Sequence, residues 1–511
     1  MNYADLFRVT LPETALEVAA LVVLVIDLVF LRRSAVKTRA AGAALVGVAG
    51  CAVALGTLGF QTMGGFGYGG DLMLNAGGYT SVAQIAILVL TALTLMLFVD
   101  STFTRHVGEY VAVVLMAAAG GLLISAAQDL IVIFIGLELL SLGLYILTAF
   151  AKTSGRSAEA ALKYYLFGGM SAAFLLFGFS YLYGLSGSTN LHKIALAAIL
   201  SNAANASPLL YVALVMIGAG LGFKVAAVPF HVWAPDTYEG APAPGAAFVA
   251  SVSKVASFAL LIGIGTAMAH IFGGLHVVRF VRVQTGVPSK YLGLGPAWAL
   301  ILVVLAVGSM VLGNLAALVQ QSVRRLVAYS AIAHAGYVLL GLAFFSYAPR
   351  STEAILYYVV TYGLTTVGAF AVVDVVERAT GSDRMESFLG LHKRNPMLAA
   401  VLLVLFLSLA GIPPLVGFWA KFNLFAAVLE VSQGVLPFAL VALAVAFSAV
   451  SLYYYLQVLK RAYVMQAVEE APIEVPSVTM AVLLVVALGV VVLGCFPALL
   501  GGWIHGFFPA V

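Results

Sequence analysis

The sequence predicts an all-α polytopic membrane protein of about fourteen transmembrane helices, with two inverted five-helix repeats and broken helices 7 and 12. Three observations carry this. Hydrophobic residues fill 63% of the 511 positions and charged residues only 9%, against about a quarter in soluble proteins, and the mean hydropathy is +1.09. The apolar residues come in runs of ~20, the length that crosses the hydrocarbon core as a helix. Two of these runs are interrupted by proline and carry a lysine, five helices apart. The 51 glycines fit close helix packing in lipid rather than disorder.

In chain order the spans fall near 12–31, 41–60, 80–99, 109–127, 129–150, 160–185, 208–234, 243–271, 297–319, 324–346, 352–376, 397–428, 434–459 and 476–500. The first run follows Asp5, Glu13 and Glu17 rather than a basic segment and stops at Arg32-Arg33, so it reads as a span and not a cleavable signal. The gaps are a glycine-rich 61–79, then 186–207, 272–296 (with Arg279, Arg282 and Lys290) and 377–396; none holds a soluble domain. The chain divides into helices 1–3 (1–107), repeat one with helices 4–8 (108–273), a loop (274–296), repeat two with helices 9–13 (297–465) and helix 14 (466–511). An odd number of helices per unit inverts the second against the first.

The net charge of +4 is small and dispersed, which excludes a nucleic-acid partner. Cys51 and Cys495 lie in apolar runs far apart, too few for a disulfide framework, a metal centre or an iron–sulfur site. With both termini outside, on the periplasmic side of a bacterial inner membrane, fifteen lysines and arginines fall in inner loops and six in outer ones, the bias of the positive-inside rule. Four cations of the 25 remain: Lys163, Lys224, Lys254 and Lys421. All are lysines. A lysine can lose its proton on desolvation, whereas arginine stays charged.

Glu138 sits about nine residues from either end of its span, beyond the reach of snorkelling. It is either a structural ion pair or the tuning partner of Lys163 or Lys224. Lys163, a few residues into helix 6, either snorkels or functions. Lys224 lies in a glycine-flanked run five residues before Pro229, where a broken helix and a titratable group coincide. His231 follows in a supporting role. Asp236 and Glu239 read as solvated loop charges. Lys254 is flanked by Ser251 and Ser257 on one face. In the second half, Ser330, His334 and Tyr337 share a face, as do Tyr358, Thr361 and Thr365. Then SLAGIPPLVGFWAKF breaks helix 12 at Pro413-Pro414, with Lys421 beyond. Asp27, Asp129 and Asp374 lie near helix ends as anchors or caps.

Six segments carry a family resemblance: IGLELLSLGLYIL around Glu138, ALKYYLFG around Lys163, GFKVAAVPFHVWAPDTYEGAPAP around Lys224, SVSKVASF around Lys254, NLAALVQQSVRRLVAYSAIAHAGY around His334 and LAGIPPLVGFWAKF around Lys421. Together they resemble the antiporter-like membrane subunits of respiratory complex I, NADH:quinone oxidoreductase. The YEGAPAP wording and a lysine at 421 are similar to the N-type among them. The L-type, M-type and Mrp-type sodium/proton antiporter subunits share the PFH-W-P skeleton but differ after it.

The resemblance implies fourteen helices and a lateral hydrated axis through a membrane arm. It implies that Glu138 tunes the lysines beside it, Lys163 and Lys224 form a first half-channel, Lys254 links the halves and Lys421 lies in the second. The expected activity is proton translocation driven by quinone reduction elsewhere in the complex. This chain would carry no cofactor or metal, with NAD, FMN, iron–sulfur clusters and quinone in other subunits. The expected partners are M- and K-type membrane neighbours, the lipid bilayer and protons. The alternatives are an Mrp-type cation/proton antiporter subunit and a structural spacer whose lysines only hold helices together.

Overall fold

The computed structural model describes residues 7–63, 73–200, 208–267, 294–344, 349–431, 434–466 and 471–508; the basic segment with Arg279, Arg282 and Lys290 lies outside them. The described chain is helical. α1 (Leu11–Val25) ends in a π-helical turn and leads to α2 (Val36–Met63), α3 (Tyr79–Phe98), α4 (Val107–Ala126), α5 (Leu130–Thr148), α6 (Gly155–Ser186) and α7 (Leu191–Leu200). After these come α8 (Pro208–Lys224), α9 (Trp233–Gly240), α10 (Ala243–Ala250), α11 (Val252–Ala267), α12 (Leu294–Leu318), α13 (Val323–Ala343) and α14 (Pro349–Thr380). The rest are α15 (Leu391–Arg394), α16 (Pro396–Ala410), α17 (Val416–Val431), α18 (Val435–Tyr463), α19 (Ser477–Cys495) and α20 (Pro497–His505). Eleven helices among the described residues are long and apolar enough to cross a membrane. The chain is a multi-pass membrane protein.

Local chemistry sets the helix ends. Asp129 accepts from the Ile131 amide at 2.9 Å to cap α5, and Asn395 accepts from Leu398 at 2.9 Å to cap α16. Ser154 and Ser322 cap α6 and α13 in the same way. Each satisfies an amide that the helix itself leaves free. Asp27 does both: its oxygens meet Arg39 at 2.7 and 2.6 Å, and Oδ2 also accepts from the first-turn Gly108 amide of α4 at 3.1 Å.

Small residues let the spans close up, as they do where apolar burial gives no advantage over lipid. A Cβ on Gly120 of α4 would meet the Leu140 amide of α5 at 2.6 Å, and one on Gly336 of α13 would meet the Ala306 carbonyl of α12 at 2.8 Å. The hairpins α4–α5 and α12–α13 are therefore backbone-to-backbone contacts. The segment Ala243–Thr266 is wholly buried at the centre, while α2, α6, α18 and α19 turn apolar faces outward.

Three local features differ from the sequence reading. The eighth span is divided at Ser251, where α10 gives way to α11. The Ser251 hydroxyl donates to the Ala247 carbonyl at 2.6 Å, a back-bond that bends helices without glycine or proline. The 186–207 gap contains α7, and 377–396 contains a short 3₁₀ turn and α15. The breaks expected in helices 7 and 12 are present, between α8 and α9 and between α16 and α17.

Candidate functional site

Both breaks are built from the same turn. At the first, the Ala226 amide reaches the Phe223 carbonyl at 3.0 Å and the Ala227 amide reaches Gly222 at 2.7 Å. At the second, the Gly411 amide reaches Ser408 at 2.9 Å and the Ile412 amide reaches Leu407 at 3.0 Å. This is the Schellman pattern, which needs a left-handed residue at its apex. Gly411 supplies it at φ 86, and Ala226 does so at φ 57, against the preference of an L side chain. Gly411 also leaves room: a Cβ there would meet Lys421 Cδ at 3.0 Å. Cis Val228–Pro229 and Pro413–Pro414 bonds follow the two turns.

A proline has no N–H to give to the carbonyl four residues back. Pro229 leaves Val225 without a helical partner; Pro413 and Pro414 leave Leu409 and Ala410. Lysine ammoniums occupy all three. Lys254 Nζ, from α11, donates to the Val225 carbonyl. Lys421 Nζ donates to Leu409 at 3.0 Å and Ala410 at 2.9 Å, and to Ser448 Oγ of α18 at 2.8 Å. Lys224, the last residue of α8, donates to Ser141 Oγ of α5 at 2.5 Å. These three side chains are 8%, 2% and 6% exposed for Lys224, Lys254 and Lys421. An isolated cation there would be costly, so Lys254 and Lys421 sit where the breaks concentrate unpaired oxygens, and Lys224 takes a hydroxyl from the neighbouring helix.

Glu138 lies one turn before Ser141 on α5, within electrostatic range of Lys224, but no direct ion pair joins it to either Lys224 or Lys163 among the described residues. Lys163 is placed apart from the buried lysines. Its side chain is 41% exposed and pairs with Glu159 at 2.6 Å and Asp236 at 2.8 Å. Asp236 and Glu239, read from sequence as solvated charges, both pair with Arg325 of α13, at 2.7 and 2.8 Å. Both carboxylates lie on the short helix α9 rather than in a turn, and Arg325 thus ties the helix after the first break to the second half of the chain. Burial alone would raise the Asp236 carboxyl, but hydrogen bonds from Lys163 and Arg325 outweigh it and hold it below the ordinary 3.8. A depressed folded value stabilises above the unfolded one and is lost as pH falls through the folded one. The stability gap between wild type and Asp236→Asn is therefore expected to be full at neutral pH and to close as pH falls below 3.8. Thermal unfolding across that range checks it; a gap independent of pH would refute the ion-pair account.

His231 follows the first break with its Nδ1 buried and unpartnered among the described residues. Trp233 closes this region, stacked 4.2 Å from Tyr164 and donating to the Phe223 carbonyl at 3.0 Å. At the second break His334 Nδ1 meets Tyr358 Oη at 2.7 Å, while Nε2 has no partner among the described residues. The ring borders a cavity of about 10 Å³, room for one water, with Thr361, Thr365, Ser408 and Ala420. α14, with its Tyr358–Thr365 stripe, packs against α10, α11 and α17. Asn314 bridges Tyr337 and Tyr454, at 3.2 Å to each.

Ser141, Ser448, Asn314 and Arg325 escaped the sequence reading. Only Ser141 carried a signal: it lies three residues after Glu138, on the same helical face.

A sequence model of the transmembrane family described as "NADH:quinone oxidoreductase/Mrp antiporter, TM" matches residues 127–278 and 266–448. The chain belongs to this family. It is 48% identical to "NADH-quinone oxidoreductase subunit N 2" of Acidobacterium capsulatum over 99% of each chain. It is 39% identical to subunit N of Desulfovibrio desulfuricans over 97% of this chain and 96% of that one. Among solved structures, a chain of Thermus thermophilus respiratory complex I with bound aureothin superposes with a TM-score of 0.74 at 31% identity, covering 96% and 98% of the two chains. A chain of the Mrp complex from Dietzia sp. DQ12-45-1b gives 0.77 at 20% identity over 98% of each, a likeness of fold alone.

Proposed function

We propose that this chain is the proton-translocating membrane-arm subunit N of an NADH:quinone oxidoreductase, coupling quinone reduction elsewhere in the complex to proton transfer along buried Lys and Glu residues. The observation that carries it is a set of three nearly solvent-free lysines at two helix breaks: Lys254 and Lys421 on the carbonyls that the breaks leave free, and Lys224, at the edge of the first break, on the Ser141 hydroxyl of α5. A lysine held this way is stable when charged and still able to release its proton; an arginine is not. Lys224 receives the influence of Glu138, Lys254 joins the first break to the centre, and Lys421 serves the second with His334 beside it. Lys163, on the partly exposed ion cluster, senses charge at the membrane edge and passes it through Asp236 to α13.

In this reading the chain is a non-redox subunit. NAD, FMN, iron–sulfur clusters and quinone belong to other subunits, M- and K-type subunits flank it, and both termini face outward in the inner membrane. The two halves act as inverted repeats about the central α10–α11. Opposite charges at about 4 Å interact by about 4 kcal/mol at an effective dielectric of 20, so a change in field along the axis is large enough to move a lysine between its states.

Lys224→Ala and Glu138→Ala are each expected to depress coupled quinone reductase activity and the proton-to-electron ratio in an assembled complex. A full ratio in either variant, with normal assembly, would overturn the proposal. The Mrp-like fold supports a second reading, a gradient-driven cation/proton antiporter subunit. Growth of an antiporter-deficient host on sodium, with this chain expressed alone, separates the two.

A further inference from the structure

Lys421 Nζ has three acceptors: the carbonyls of Leu409 and Ala410 and the hydroxyl of Ser448. An ammonium has three N–H donors, so the charged form is saturated. The neutral amine has two donors and a lone pair. A carbonyl cannot donate to that lone pair, but a hydroxyl can by rotating. Ser448 is the one partner of the three that suits both states.

The Ser448 hydroxyl is also uncommitted. Helix serines ordinarily donate back to the preceding turn, as Ser251 does to Ala247, Ser309 to Leu305 and Ser451 to the Ser448 carbonyl. Ser141, beside Lys224, donates to Leu137. Ser448 Oγ donates no hydrogen bond among the described residues and only accepts from Lys421.

We propose that Ser448 is a positioning residue for the Lys421 proton, accepting from the ammonium and, once the proton has left, rotating to donate to the free amine. The nitrogen is thereby held at the break in both states. This rests on the proton-transfer role given to Lys421 above. The titratable groups around it are His334 and Tyr337 of α13, the latter ring 5.6 Å from Nζ, and Tyr358 and Tyr362 of α14 beside His334. α16 presents carbonyls and Ser408; α18 adds Tyr454 and Tyr455 beyond Ser448; α19 carries only Cys495, exposed at its end.

The test is proton translocation against pH in the assembled complex in native membrane vesicles, read by dye quenching beside quinone reduction. In Ser448→Ala and Ser448→Val the charged form loses more than the neutral one, because hydrogen bonds from an ion are the stronger. The alkaline limb of translocation is therefore expected to move about one unit to lower pH, a tenfold change in proton affinity. Ser448→Thr keeps a hydroxyl and is expected to hold the wild-type profile. Should Ala not assemble, the Thr and Val pair gives the same comparison. Unshifted profiles in Ala and Val, or a Thr profile shifted as far as Val, would overturn the inference. Lys421→Ala in parallel separates the failures: a full proton-to-electron ratio there sinks the proposed function, whereas its loss beside unshifted Ser448 variants sinks only the role of Ser448.

Discussion

Arginine in place of Lys421 is expected to leave the complex assembled and its proton translocation at least about tenfold below wild type. Lys421 has two separable tasks. As a donor it satisfies the Leu409 and Ala410 carbonyls that Pro413 and Pro414 leave free. As an acid it gives up a proton. A guanidinium has five donors and performs the first task, but it stays charged beyond pH ~12 and cannot perform the second. Alanine removes both. Each carbonyl left dry costs about 1–3 kcal/mol, offset by relief from burying a cation, itself several kcal/mol. The stability of Lys421→Ala is thus expected to lie nearer to wild type than the lost contacts alone suggest. The proton-to-electron ratio of the purified complex in liposomes decides the matter. An arginine variant that pumps at the wild-type ratio would show that Lys421 is a strut and not a carrier.

Arg324→Ala is expected to lower stability by about 3 kcal/mol. Arg324 is 5% exposed and joins two parts of the chain. Its Nη1 donates to the Ala241 carbonyl, between α9 and α10, at 2.8 Å. Its Nη2 forms an ion pair with Glu377 of α14 at 2.6 Å. Removing one partner of a buried pair costs about 3–5 kcal/mol, since the other is left uncompensated. Glu377 is about a third exposed, which places the value at the lower end. Arg324→Lys keeps the charge but not the fork that spans both partners, so it should recover only part of the loss. Thermal unfolding of the detergent-solubilised complex checks this. A midpoint unchanged by Arg324→Ala would mean that the clamp adds nothing to packing.

Neither Arg324 nor Arg325 stands out in the sequence, because two arginines after a polar turn match the inner-loop bias of any membrane protein. Their role depends on α13 meeting the short helix after the first break, a contact between residues more than eighty positions apart. The same limit explains Glu138. Charge and depth single it out, but the direct partner of Lys224 is Ser141, one turn away, because the closing of α5 on α8 brings the hydroxyl to the ammonium. Lys163 looks like the other lysines in composition, yet its place near the start of α6 leaves it half in the open with Asp236.

By itself the sequence determined the helical membrane class, the two interrupted helices and the burial of Lys224, Lys254 and Lys421, but it grouped the half-exposed Lys163 with them and left the buried Arg324 among the loop charges. Hydropathy, proline geometry and the cost of charge in hydrocarbon act locally, and they are written in runs of neighbouring residues. Only the tertiary structure decided which oxygen each lysine meets, that the eighth span bends at Ser251, and that Ser448 completes the shell of Lys421. Those choices depend on the rotation and approach of helices distant in the chain, over separations of a few ångströms that one-dimensional patterns do not encode.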